Sequence, residues 1–310
     1  MPAKYCLCPD GQKRTIEECL NRCPRPEGRC LTLPTLHSVF WQREWTGTPS
    51  TTMLLNGTRL EYLKLTCDYA IDPRDRAFAL LGTRHHGKLE AVSKKLNVLS
   101  EEKLEGEVKG TLDLIEPDEL AEGEQFILTD YKTFGSFRVA RALGLEESKM
   151  PDPNGEVYKT SGKWGKAGDP KMVSLWTPNP EKADLFNEEL QLNSYRLGIE
   201  ALGFPVSRMR LQVTVRDGGT YIASNRGVDQ NIYIIPVKRL ADDDVRAYFK
   251  RKGDALIAAL ENGKMPKPCN ARETWDGRRC AGYCEVAEFC PQGGKQESVK
   301  EVADGNQGNI

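Results

Sequence analysis

Apolar residues fall at three- and four-residue intervals through TTMLLNGTRLEYLKL, from Thr51 to Leu65, and this period predicts a helix with Gly57 in its interior. A second helix is expected after Asp72-Pro73, since proline suits a first helical turn, running on through RAFALLGTRHHGKLEAVSKKL. His86 and Glu90 stand four apart and share a face of it. The pattern then shortens. EVKGTLDLI, from Glu107 to Ile115, alternates and is rich in β-branched residues before the turn Glu116-Pro117-Asp118, so it reads as a strand, and QFILTDYK, from Gln125 to Lys132, reads as the next. Residues 146–180 are rich in glycine, proline and lysine, with SGKWGKAGDPK at their centre. They read as an inserted loop or lid, solvated on its simplest reading, whose lysines and Trp164 could also grip a nucleic acid backbone and stack on a base. A helix over EKADLFNEELQLNSYRLGIEALG closes at Gly203. RMRLQVTVRD and NIYIIPVKRL follow as strands, and ADDDVRAYFKRKGDALIAALENG as an amphipathic helix with an acidic first turn. This order of helices and strands favours an α/β domain. The tail from about residue 293 has the composition of a disordered segment.

Composition narrows the class without deciding it. With 39% hydrophobic and 29% charged residues the chain is that of an ordinary soluble protein, and a net charge of -1 gives no global basic signature, so any contact with DNA must come from a local patch. The N-terminus lacks an apolar stretch of signal-peptide length, and no window approaches the roughly 18 apolar residues of a membrane span. A cytoplasmic protein without membrane contact is the expectation.

The ten cysteines change the picture, because their chain is too long for a small secreted disulfide scaffold and metal binding is the better reading. Two sets have nearly coincident spacing: Cys8-x10-Cys19-x3-Cys23-x6-Cys30 and Cys269-x10-Cys280-x3-Cys284-x5-Cys290, with Cys6 and Cys67 left over. Four thiolates suit one tetrahedral zinc or an iron–sulfur cluster, and either can hold together a segment with little core of its own. Zn2+ is the simpler assignment for the N-terminal set. Cys67 competes with Cys269 as fourth member of the distal set. The expected organisation is a cysteine-rich module over residues 1–50, a core over 51–265 and a cysteine cluster over 266–292.

Hydrolysis of a phosphodiester needs a divalent cation held by carboxylates, an activated water and a positive charge near the developing anion. Asp113, Asp130 and Lys132 are of those types, and in a strand Asp130 and Lys132 project from the same face, with Tyr131 on the other. Asp-x-Lys alone is a weak signal, but the succession is not: Gly82-Thr83-x-x-His86 on a helix, Gly110-x-x-Asp113 and Asp130-Tyr131-Lys132-Thr133 on strands, then Gln191-Leu192-x-x-Tyr195 on a helix. This succession resembles the RecB-like branch of the PD-(D/E)XK nuclease superfamily, which includes helicase–nuclease subunits and CRISPR adaptation nucleases. The resemblance covers roughly Thr51 to Pro291. It implies a restriction-endonuclease-like core, a central mixed sheet flanked by helices. It also implies His86, Asp113 and Asp130 as ligands of Mg2+ or Mn2+, Lys132 as the catalytic cation, and Gln191 and Tyr195 as supporting residues; His85 fits the register less well.

Many such nucleases end in Cys-x2-Cys-x5-Cys on a [4Fe-4S] cluster, where this chain has Cys280-x3-Cys284-x5-Cys290. The C-terminal set is therefore expected to hold [4Fe-4S] or Zn2+, with Cys269 ranked above Cys67. The implied activity is a metal-dependent exonuclease on DNA ends or single strands. It would serve recombination, repair or the processing of phage or mobile-element DNA, with a protein partner in recombination or replication. The alternative is a non-catalytic DNA-binding or assembly module that keeps the nuclease fold.

Overall fold

The computed structural model describes residues 3–96, 98–104, 109–162 and 165–293. Trp164, Glu107, Val108 and the tail from residue 294 lie outside the described residues.

Strands β1 (Tyr5–Leu7) and β2 (Lys13–Thr15) pair antiparallel, and α1 (Ile16–Asn21) leaves β2 through a capping box. Thr15 Oγ1 accepts from the Glu18 N–H while the Glu18 carboxylate accepts from the Thr15 N–H, which satisfies two donors at the helix start. Helix α2 (Leu33–Phe40) follows, with proline in its first turn.

The helix expected over 51–65 is two helices, α3 (Thr51–Leu55) and α4 (Thr58–Thr66), broken at Asn56-Gly57. A distant segment packs against this break: a Cβ on Gly57 would stand 2.4 Å from Cys269 Sγ, so only glycine admits that thiol. The Lys252 ammonium donates to the Asn56 carbonyl and fixes the break.

Strand β3 (Ala70–Ile71) then runs parallel to β1, completing a small sheet of order β2-β1-β3. Helix α5 (Ala77–Lys95) starts after a 3-10 turn over Pro73–Arg76.

Five strands build the main sheet: β4 (Leu99–Leu104), β5 (Gly110–Pro117), β6 (Phe126–Phe134), and, after a crossover, two more. The crossover holds α6 (Ser136–Ala142), the antiparallel pair β7 (Leu145–Pro151) and β8 (Met172–Pro178), and α7 (Phe186–Ala201). The segment expected as a loop is thus a hairpin at its flanks, where LEESKMP pairs with MVSLWTP. Strand β9 (Val206–Val215), α8 (Tyr221–Asn225), β10 (Ile232–Val237) and α9 (Asp242–Asn262) complete the elements that matter here.

The order is β10-β9-β6-β5-β4, with β6 and β9 parallel and the other neighbours antiparallel, so the fold is mixed α/β. A parallel pair requires a long connection, and the crossover through α7 supplies it.

Burial alternates along β9, where Met209, Leu211, Val213 and Val215 face a core shared with Leu112, Leu128 and Leu192. A second core gathers Leu36, Leu54, Leu63, Val245 and Leu256 around the thiols of Cys6, Cys8 and Cys19. Helix α7 serves both, sending Leu192 and Ile199 into the first and Leu190 into the second. Its Arg196 is fully buried and pairs with Glu200 one turn on along α7 at 2.7 Å and with Asp242 at the start of α9 at 2.6 Å, which ties α7 to α9. Among the described residues no helix is long and apolar enough to cross a membrane.

Candidate active site

The β5–β6 ladder runs from Pro117↔Phe126 to Leu114↔Thr129 and stops there. One further step would set Asp113 directly opposite Asp130. Instead the strands part, β5 staying with β4 and β6 with β9. The Tyr131 N–H beyond the fork donates to Asp113 Oδ2 at 2.7 Å, so a side chain takes up a backbone donor that the ladder no longer serves. From α5, His86 Nδ1 comes within 3.3 Å of Asp113 Oδ1.

Asp130 is 2% exposed. Its Oδ2 lies 2.7 Å from the Lys132 ammonium but accepts no hydrogen bond of regular geometry among the described residues. Lys132 donates to Gln191 Oε1 at 3.0 Å, and Gln191 Nε2 donates to Tyr195 Oη at 3.1 Å and, more loosely, to Asp130 Oδ1 at 3.4 Å. The six residues singled out by the sequence, His86, Asp113, Asp130, Lys132, Gln191 and Tyr195, therefore meet at one place. Gln191 and Tyr195 are one helical turn apart on α7, which is why a glutamine–tyrosine spacing of four serves this geometry.

Burial raises the Asp130 carboxyl above its ordinary range; Lys132 opposes the rise and Asp113 adds to it. Burial would draw Lys132 down, but the charge of Asp130 outweighs it and the ammonium is held above its usual value. The hydrogen bond with Asp113 raises His86. Two buried carboxylates are thus each met by a cationic or proton-holding neighbour, the arrangement that a low-dielectric site with surplus negative charge demands.

One glycine of the motifs has a packing reason: a Cβ on Gly110 would meet Tyr195 Cε1 at 2.4 Å, so Gly110 seats the tyrosine, whereas a Cβ on Gly82 would make only an ordinary contact with Thr133 Oγ1 at 3.5 Å where α5 lies against β6. Of the secondary candidates, His85 has a buried Nε2 without a hydrogen-bond partner and packs edge-on against Tyr131, and burial lowers its pKa. Glu90 pairs with Lys94 on the helix surface.

Carboxylate oxygens with one imidazole nitrogen form a donor set that suits Mg2+ or Mn2+. The buried Asp130 Oδ2, short of hydrogen bonds, has acceptor capacity to give such an ion. Among the described residues, however, no three His, Cys, Asp or Glu groups close tightly enough to hold a metal. His86 turns to Asp113 at 3.3 Å and Lys132 to Asp130 at 2.7 Å.

The thiols approach one another in two regions, although among the described residues no three of them close into a metal-holding group. Cys269, Cys280, Cys284 and Cys290 line one apolar cavity together with Arg59, Leu60 and Val286, and Cys67 is not among its lining residues. At the other end, Cys6 lies among Cys8, Cys19, Cys23 and Cys30, although spacing alone left it out; burial and the thiols of Cys19 and Cys8 push its own thiol far up. All ten cysteines are free.

No family model matches the chain, and no curated protein matches it. Among solved structures it is similar to the crystal structure of SSO0001, at 16% identity and a TM-score of 0.40, over 83% of this chain and 92% of that one. A likeness that loose carries no weight for fold or activity.

Proposed function

We propose that the protein is a divalent-metal-dependent deoxyribonuclease with a restriction-endonuclease-like core of the RecB-like PD-(D/E)XK kind. The observation that carries this reading is the fork between β5 and β6: the ladder opens where Asp113 and Asp130 would face each other, and His86, Lys132, Gln191 and Tyr195 close around the opening. Bound at His86, Asp113 and Asp130, Mg2+ or Mn2+ would polarise the scissile phosphate and acidify a water.

The chain's own groups do the rest. Asp113 and Asp130 supply the negative charge that retains a cation, and Lys132, held by Gln191, aims an ammonium at the charge that develops on the phosphate. Lys132 is shared between Asp130 at 2.7 Å and Gln191 Oε1 at 3.0 Å, and Tyr195 orients that glutamine by accepting from its Nε2. Exonucleolytic attack on DNA in recombination, repair or mobile-element processing is the role we assign. The C-terminal thiols are proposed to hold [4Fe-4S] or Zn2+ and the N-terminal ones Zn2+, since each set brings four or more free thiols together.

The test is degradation of labelled DNA with Mg2+ or Mn2+ by wild type and by Asp113→Ala, Asp130→Asn and Lys132→Met. Each variant should cleave about 100- to 1,000-fold more slowly, the range for losing one group that stabilises developing charge. Equal rates for all four proteins would refute the assignment.

A further inference from the structure

Beyond the fork, the end of β6 carries a surface that the proposed chemistry does not use. Phe78, Gly82 and His86 follow one another at four-residue steps on one face of α5, so Phe78 lies two turns, about 12 Å, from His86 along the axis. Phe78 is 58% exposed, and the Arg216 guanidinium lies 4.2 Å from its ring centroid. Arg216 in turn reaches Gly135, where an added Cβ would meet its Nη2 at 3.5 Å. Two residues on, Phe137 is also exposed at 36%, with Arg226 and Arg278 each 5.7 Å from its centroid. Two exposed phenyl rings, each backed by guanidinium and linked through Arg216 and Gly135, thus mark out a strip whose nearer end lies about 12 Å from His86; Phe137 also meets the Trp176 ring edge-on at 5.9 Å.

Its chemistry selects an occupant. Among the described residues neither Arg216 nor Arg278 has a carboxylate partner, and Arg226 has only Asp217 at 3.9 Å. An apolar protein surface laid over the strip would bury those guanidiniums unpaired, which is costly, whereas a phosphate backbone would pair them. Rings open at the surface offer stacking area to bases, and only an unpaired base has a free face to give, since in a duplex each base is covered by its neighbours. Resting on the nuclease reading for its place in catalysis, we propose that Phe78 and Phe137, with Arg216, Arg226 and Arg278, bind single-stranded DNA as it enters or leaves the site.

The test measures fluorescence anisotropy of labelled oligothymidine, and of the same strand in a duplex, with the full chain carrying Asp130→Asn in buffer without added divalent metal, so that nothing is cleaved. Phe78→Ala and Phe137→Ala should each weaken single-strand binding about 5- to 100-fold and duplex binding less than about twofold, while Phe78→Trp restores the single-strand affinity. Both rings are solvent-exposed, and circular dichroism checks that the variants fold. Unchanged single-strand affinity, equal losses on both DNAs, or no binding by the parent protein overturns the proposal. Ring-dependent binding in a protein that cleaves under no divalent metal would sink the nuclease reading and leave this one standing. Cleavage indifferent to both rings does the reverse.

Discussion

Gly110→Ala probes the site without replacing any of its six polar side chains. The added methyl would stand 2.4 Å from Tyr195 Cε1, where ordinary contact begins at 3.4 Å, so the ring must withdraw by about 1.0 Å (3.4 − 2.4). Tyr195 is 4% exposed and has no solvent to swing into. Its Oη receives Gln191 Nε2 at 3.1 Å, and Gln191 holds Lys132 at 3.0 Å, so a shift of that size breaks the first bond and loosens the second.

Overpacking of this kind costs about 1–3 kcal/mol, and each kcal/mol lowers the melting temperature by roughly 2–4 °C in a domain of this size. A misplacement near 1 Å at a catalytic group costs about 100-fold in rate. Differential scanning fluorimetry and DNA degradation with Mg2+ should therefore show a modest loss of stability beside a large loss of rate. Adding Tyr195→Leu removes the ring and should recover stability relative to the sum of the two single changes, leaving a coupling of about 1 kcal/mol or more, but no activity. A Gly110→Ala protein that melts and cleaves like wild type would show that the tyrosine is not seated on this glycine.

Further predictions concern the sheet turn and the thiols. The Arg208 guanidinium, with Ser207 Oγ at 2.6 Å, holds the Asp118 carboxyl below its ordinary value of 3.8. A depressed folded pKa means that this support is whole above pH 3.8 and is lost as pH falls through the lower folded value. The urea midpoints of wild type and Asp118→Asn should therefore differ by a constant amount between about pH 7 and about pH 5 and converge only under stronger acid; a gap that widens on acidification would contradict the pairing. If the C-terminal thiols share a metal, anaerobically purified Cys284→Ser should lose that centre while keeping the N-terminal one, read by metal analysis and visible absorption. Unchanged metal content would show that Cys284 is not a ligand.

Much of the site was legible because its residues sit on long elements of clear period. The span from Glu181 to Gly203 announced α7 by its apolar spacing, and Gly203 does take the left-handed conformation past its end, with φ 93°. Gln191 and Tyr195 could thus be placed on one helical face from the sequence alone. What stayed hidden depends on residues far apart in the chain. Gly57 must be glycine because Cys269 packs on it at the break between α3 and α4, and no local pattern carries that information. β4 was missed because LSEEKL is too polar to resemble a strand; it forms as the edge partner of β5. In the hairpin β7–β8 the glycine-rich middle masked the pairing flanks. Cys6 escaped because only the antiparallel return of β1 on β2 brings it near Cys19.

The segment bearing the distal thiols is fastened to parts of the chain made much earlier. Arg59 Nε donates to the Pro266 carbonyl across 207 residues, and Lys13 pairs with Glu288 across 275. At a translation rate of about 5–20 residues per second, Arg59 waits roughly 10–40 s for its partner to be synthesised. The main sheet can be assembled during that interval. The core around α4 can also form from α3 and α9, but the edge that Cys269, Cys284, Val286 and Cys290 cover is closed only when the late segment arrives.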